Sequence, residues 1–198
     1  MNRIVLASDN PGKIREFNAL LSERGIEVLA QGSLGVTPAE EPFGTFLENC
    51  LAKARNAARQ TGLPALADDS GICVDALGGL PGVHSARFAG EPKSDARNNA
   101  LLVEKLKGEE NRAAHYVCVL VALKIAEDPD PLIATGAWAG EILEAPRGEG
   151  GFGYDPYFFL KSAGKTAAEL SASEKNGESH RGQAMRMMSA LMKERWGW

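Results

Sequence analysis

The stretch Leu66-Ala67-Asp68-Asp69-Ser70-Gly71 limits the possible folds more than any other part of the chain. An apolar run (Leu63, Ala65, Leu66, Ala67) leads into two adjacent carboxylates, and a second run, Ile72-Cys73-Val74, follows. Short apolar runs bounded by Pro64 and Gly71 read as buried strand. Consecutive strand residues point to opposite faces, so Asp68 and Asp69 cannot both reach water from a sheet covered on both sides. A carboxylate at a buried strand end is costly unless a cation, a metal or several donors meet it. A plain turn is the competing reading, since Asp, Ser and Gly favour turns. The remaining charged segments decide between the two.

With 198 residues, 44% of them hydrophobic, the chain suits one domain (1–198) or two closely packed lobes around a substantial core. A net charge of -4 disfavours nucleic acid as a partner, so any polyanion site must be a local cluster of Lys and Arg. Asn2 to Ala7 is too short for the apolar region of a signal peptide, and no stretch reaches the length of a membrane span. Cys50, Cys73 and Cys118 are odd in number and lack a CxxC pair, which fits buried thiols in a reducing cytoplasm.

Ile4 to Ala7 reads as a first strand, Ser8 to Lys13 as a loop, and the following residues as a helix with Ile14, Phe17, Leu20 and Leu21 on one face. Gly25 ends that helix, and Ile26 to Ala30 reads as strand, the start of an α/β arrangement. Lys13 beside a helix N-terminus raises the possibility of an anion site, although ordinary capping explains the same residues. It is not a Walker A loop, because Ala7 and Ile14 stand where Gly and Ser or Thr are needed.

An acidic pair, Glu40-Glu41, lies in the next loop. Thr45 and Glu48 then have capping-box form for a helix running to about Thr61. Phe46, Cys50, Lys53 and Ala57 share one stripe of it. Lys53 therefore either snorkels to water or meets a buried anion. A further helix from about Ser94 to Gly108 is expected to turn Ala100, Leu101, Val103 and Leu106 inward. Ala113 to Ala126 and Leu132 to Trp138 read as strands joined by the Asp128-Pro129-Asp130-Pro131 turn, and Glu141 to Glu144 continues the sheet. The sheet is expected to be mixed, with a long meander in its second half.

Gly148 to Gly153 formally matches a dinucleotide GxGxxG pattern, but Pro156 and the strand-like Tyr157 to Leu160 follow where a helix should begin. The alternative is a loop that lets backbone approach a flat ligand, with Phe152 and Tyr154 available to stack. In the C-terminal helix Ser179 is a plausible N-cap, which puts His180 and Arg181 in the first turn, where the helix dipole disfavours cations. An anionic ligand would reverse that penalty. Met185, Met188 and Met192 read as core packing.

Lys13, Lys53, Lys175 and Arg181 are thus cations outside ordinary surface-helix logic in an acidic chain. The pairs Glu40-Glu41 and Asp68-Asp69 could hold Mg2+ through oxygen. Cations for phosphates, carboxylates for a metal and a Gly-aromatic loop for a base together describe a nucleoside triphosphate. The chemistry that remains is metal-assisted hydrolysis of a phosphoanhydride.

Ser8-Asp9-Asn10-Pro11-Gly12-Lys13 with Arg15-Glu16, Thr45-Phe46-x-Glu48-Asn49 with Lys53-Ala54, Ala67 to Gly71, Leu77-Gly78-Gly79-x-Pro81-Gly82, Ser85-Ala86-Arg87, Gly151 to Pro156 and Ser179-His180-Arg181 occur in that order. This set, spanning nearly the whole chain, resembles the inosine triphosphate pyrophosphatase family in its bacterial dITP/XTP branch. The resemblance implies an α/β fold with a long mixed central sheet flanked by helices, and two lobes with the active site in a cleft. It also implies a homodimer that hydrolyses ITP, dITP and XTP to the monophosphate and pyrophosphate. By motif, Ser8, Asp9, Asn10, Pro11, Gly12 and Lys13 would bind the triphosphate. Asp69 would accept a proton and, with Glu40 or Glu41, ligate Mg2+. Ser70, Phe152, Gly153, Tyr154, Asp155, Lys175, His180 and Arg181 would contact substrate, and Lys53 and Asp68 would support the phosphate and metal.

The acidic loop reads Glu40-Glu41-Pro42-Phe43-Gly44 where relatives commonly have Glu-Glu-Thr-Gly, so either glutamate is a candidate ligand. His84 stands where relatives often carry tyrosine. Two other readings stay open from the residues alone: a pyrophosphatase for modified pyrimidine nucleotides, and a non-catalytic nucleotide-binding or RNA-binding module.

Overall fold

The structure is a computed structural model that describes residues 2–22 and 24–198. Five helices and seven strands make up its regular structure among those residues: β1 (Asn2–Leu6), α1 (Pro11–Ser22), β2 (Ile26–Ala30), α2 (Phe46–Thr61), β3 (Ala65–Val74), α3 (Asp95–Lys105), β4 (Ala113–Leu123), β5 (Leu132–Ile142), β6 (Phe158–Leu160), β7 (Lys165–Thr166), α4 (Ala172–Glu178) and α5 (His180–Trp196). The strands form one sheet in the order β2-β1-β3-β4-β5-β6-β7. β1 pairs in parallel with β2 and with β3, whereas β5–β6 and β6–β7 are antiparallel. The sheet is therefore mixed, as the alternation of strands and helices followed by a run of strands predicts.

The chain divides into two compact units, and the division falls within β3, β4, β5 and α5. Unit 1 comprises residues up to Asp69, Cys118–Thr135 and Ala184–Trp198; unit 2 comprises Ser70–Val117 and Gly136–Gln183. Unit 1 buries Ile4, Leu6, Leu66 and Leu120 from strands against Phe17 and Leu21 of α1 and Ala184, Met185, Met188 and Met192 of α5. The methionines are core, as their helical spacing indicates. Unit 2 has its own core, in which Ile72, Val74, Leu102, Tyr116, Trp138 and Phe158 come together.

Several sequence expectations change. β3 is a single ten-residue strand, so Asp68, Asp69 and Ser70 lie inside it, not at a strand end or in a turn. Gly71 lies within this same strand. α1 begins at Pro11, inside the segment read as loop, because proline is preorganised for the first helical position. β4 ends at Leu123, short of Ala126, and β5 runs unbroken to Ile142.

In α3 the inner face is Asn98, Asn99, Leu102 and Leu106, while Ala100 is exposed. Two buried asparagines there broke the apolar pattern on which the sequence reading relied. α4 lies in a segment that showed no apolar periodicity, and a capping box of Ser171 and Glu174 starts it. Among the described residues no helix is long and apolar enough to cross a membrane.

Candidate active site

In unit 1 the pleat of β3 sends its two aspartates to opposite faces, and each meets its own lysine. Asp68 lies on the face of Leu66. Its Oδ1 accepts from Lys13 Nζ of α1 at 2.5 Å, and its Oδ2 from Cys118 Sγ at 3.5 Å. Asp69 faces α2, where Lys53 Nζ donates to Asp69 Oδ1 at 2.8 Å and to Glu41 Oε2 at 3.1 Å. Asp68 is 1% exposed and Asp69 8% exposed, so these are the buried anions that the paired carboxylates predicted. Lys53 meets an anion; it does not simply snorkel. Glu41 is the member of the acidic pair that reaches it, and Glu40 is exposed.

Each lysine reaches its aspartate from a well-anchored helix. Asn10 caps α1: its Oδ1 accepts from the amides of Gly12 at 2.8 Å and Lys13 at 3.3 Å. Ser8 Oγ accepts from the Asn10 amide at 3.2 Å. Asp9 faces away from this set, accepting from Gln31 Nε2 at 3.0 Å and the Gly32 amide at 2.7 Å. A Cβ on Gly32 would sit 2.4 Å from Asp9 Oδ1, so residue 32 must be glycine for Asp9 to hold the loop. Thr45 caps α2 as predicted, although Glu48 closes on the Thr45 hydroxyl at 2.6 Å.

Burial pushes the Asp69 carboxyl above its usual range, and Lys53 pulls it back only in part. Burial would lower the Lys53 ammonium, but Asp69, Glu41 and Asp68 outweigh it and leave the group above its ordinary value. Asp69 Oδ2 is buried and accepts no hydrogen bond among the described residues.

An added cation would relieve both features, so the residues fit one. Among the described residues no three His, Cys, Asp or Glu side chains gather to hold a metal; of the two candidate glutamates, Glu41 is the one joined to Asp69 through Lys53. Two carboxylates, with water and phosphate oxygens completing the shell, suit Mg2+.

In unit 2 the Gly148–Asp155 loop is organised from within by Asp155, which is 3% exposed. Its Oδ2 accepts from the Phe152 amide at 2.8 Å and from Lys175 Nζ at 2.6 Å, and its Oδ1 from the Tyr116 hydroxyl at 3.3 Å. Gly151 has a φ of 75°, and a Cβ there would lie 2.1 Å from Asp155 Oδ2, so only glycine lets the loop close on the carboxylate. Asp95 and Asn99 of α3 hold Gly153, accepting from its amide at 2.7 Å and donating to its carbonyl at 2.8 Å.

Phe152 is the exposed aromatic of the loop, at 49%, with Lys175 Nζ 4.9 Å and Arg181 Cζ 5.9 Å from its ring centroid. Tyr154 is not available for stacking. It is buried, and its hydroxyl donates to the Ser85 carbonyl at 2.8 Å.

At the start of α5 the Ser179 hydroxyl accepts from the Gly182 amide at 3.2 Å, so Ser179 is the N-cap and His180 and Arg181 occupy the first turn as expected. Both are buried. The His180 ring lies parallel to Tyr116 of β4, centroids 4.6 Å apart and planes 7° apart, with Trp138 of β5 at 6.4 Å. Ser70, on β3, is half-buried.

Unit 1 thus gathers Lys13, Lys53, Asp68, Asp69 and Glu41, while unit 2 gathers Phe152, Asp155, Lys175, His180 and Arg181. The sequence reading missed Tyr116, Trp138, Asp95, Asn99 and Cys118. Of these, only Asp95, in the first turn of a capped helix, carried a local signal.

Comparison with known proteins agrees with the family read from the motifs. The model of the Ham1 family matches residues 4–191. The chain is 65% identical to a dITP/XTP pyrophosphatase of Ralstonia nicotianae, over 93% of this chain and 94% of that protein. It is 62% identical to one of Chromobacterium violaceum, over 97% and 98%. Among solved structures, a HAM1 protein from Coxiella burnetii superposes with a TM-score of 0.94 at 46% identity, covering 98% of this chain and 100% of that one. With its fold, its ordered motifs and its sequence all in agreement, the chain belongs to the Ham1 family.

Proposed function

We propose that this chain hydrolyses ITP, dITP and XTP to the nucleoside monophosphate and pyrophosphate, removing aberrant purine nucleotides from the precursor pool. The observation that carries the reading is Asp69 Oδ2, buried beside the Lys53 ion pair and accepting no hydrogen bond among the described residues. A hydrolase that works through a bound dication and a carboxylate base needs such a group, and a binding module does not.

In this reading unit 1 serves the triphosphate and unit 2 the base. Asp69 and Glu41 would hold Mg2+, which would supply neutralisation of phosphate charge. Asp69 orients a water and takes its proton as the water oxygen bonds to phosphorus, and the α–β anhydride oxygen leaves with pyrophosphate. Its raised proton affinity in the metal-free protein suits a base. Lys53 steadies Asp69 and Glu41, and Lys13 is shared by Asp68 and a phosphate oxygen. Ser8 and Asn10 shape the start of α1 for the phosphates, and Ser70 follows the base along β3.

Phe152 offers a face for the purine. Arg181, with amides near His180, donates to the acceptor oxygen at C6 of hypoxanthine or xanthine. Adenine presents an amine there, and donor facing donor in a desolvated site discriminates by roughly 10⁴-fold. The 198 residues act as one functional domain, in a cytoplasmic homodimer. Pyrophosphate release from ITP, XTP, dITP, ATP and GTP, with Mg2+ and with chelator, tests this. Turnover of ITP, XTP and dITP well above that of ATP, abolished by chelator, is expected; equal turnover of ITP and ATP would overturn the base assignment.

A further inference from the structure

We propose that Tyr116 is a positioning residue for base recognition, locking the Phe152 loop and the His180 ring into one arrangement. The inference rests on the reading that unit 2 serves the base. Tyr116 sits on β4 with 7% exposure, so it acts through neighbours and not by touching substrate. Its two ends do different work. The hydroxyl donates to Asp155 Oδ1 at 3.3 Å, while the other oxygen of the same carboxylate carries the Phe152 amide and Lys175. The ring carries the His180 imidazole at 4.6 Å in a parallel stack.

Tyr116 is itself fixed, edge-on to Phe158 at 4.6 Å. Its hydroxyl stays protonated, since burial and then the Asp155 charge hold it well above the ordinary tyrosine range. It is therefore a permanent donor to Asp155. Tyr116 thus touches both the carboxylate that shapes the loop and the imidazole at the helix start. Trp138 approaches His180 only at 6.4 Å. Recognition groups must be held to within a fraction of an ångström, and a buried neighbour with no polar freedom does that.

The test separates the two ends. Tyr116→Phe keeps the stack and removes the donor. It should raise KM for ITP about fivefold, the size of one buried hydrogen bond, with kcat within about twofold of wild type. Tyr116→Leu removes the stack as well. It should raise KM more than tenfold and lower the ITP-over-ATP ratio of kcat/KM by about tenfold. Competitive inhibition by inorganic tripolyphosphate, which engages only the phosphate residues, should be unchanged in both.

Unchanged KM in both variants would overturn the proposal. So would a Tyr116→Phe variant in which KM, kcat and tripolyphosphate inhibition all move together, the mark of a merely structural role. If Tyr116→Leu fails to fold, the Phe variant decides alone. If wild type shows no preference for ITP, the base-recognition reading fails. The KM-against-kcat split, read with the best triphosphate, still decides the role of Tyr116.

Discussion

The two units solve opposite problems with charged side chains. Unit 1 leaves a buried carboxylate oxygen unserved: Lys53 holds Asp69 Oδ1, while Asp69 Oδ2 accepts no hydrogen bond among the described residues. Unit 2 keeps its central carboxylate fully engaged, with Asp155 taking an amide, an ammonium and a phenol. Incomplete pairing in a buried site costs stability and suits chemistry on a charged, metal-bound substrate. Complete pairing rigidifies and suits recognition of shape. One chain thus carries a region with an unserved buried carboxylate oxygen and a region whose central carboxylate is saturated.

Asp69→Asn should separate the two most sharply. We expect kcat to fall by about 10³-fold, with ITP still bound. The Mg2+-dependent rise in melting temperature should vanish, while the variant in chelator melts no lower than wild type, because an uncharged amide replaces a buried carboxylate with an unserved oxygen. A large loss of stability in chelator would mean that the Lys53 ion pair outweighs the cost of that oxygen. Lys53→Met should cost about 3 kcal/mol in chelator by stranding the buried Asp69, and excess Mg2+ should recover part of it. Denaturant unfolding with and without metal reads both values, and no loss in chelator would remove Lys53 from the set.

Arg181→Ala should have a smaller effect. KM for ITP should rise about tenfold and discrimination against ATP should shrink, with tripolyphosphate inhibition intact. If tripolyphosphate inhibition were lost while discrimination survived, Arg181 would belong with the phosphate residues.

How much of this was legible in the sequence differs between the units for the same physical reason. Unit 1 announced itself through residues that are individually misplaced: two carboxylates within an apolar run, and a lysine on an apolar helix stripe. Such signals are local. Even there the surroundings of the aspartates were misread, because Gly71 suggests a turn, whereas the strand runs through it to Val74. In unit 2, His180 and Arg181 were visible as cations at the wrong end of a helix. Tyr116 was invisible, since a tyrosine in a strand run reads as ordinary core. Its partners His180 and Asp155 lie far along the chain, and no spacing rule links them. Tyr154, one residue before the loop's central carboxylate, looked like a stacking surface because sequence does not say which way a loop residue points. Asp95 and Asn99 were missed because their partner is the backbone of Gly153.

The continuous strand β3 has a consequence for how this gene can vary. Its pairing with β1 sets Val5 against Ala65 and Leu6 against Leu66, which fixes Asp68 toward Lys13 and Asp69 toward Lys53. Deleting one codon anywhere from Ala65 to Ala67 would shift the remaining strand by one place and exchange the two faces. The carboxylate now paired with Lys53 would point at Lys13, although both aspartates would still be present. Replacements that keep the strand's length leave this arrangement in place, but insertions and deletions do not, so the register of these ten residues is itself part of the arrangement.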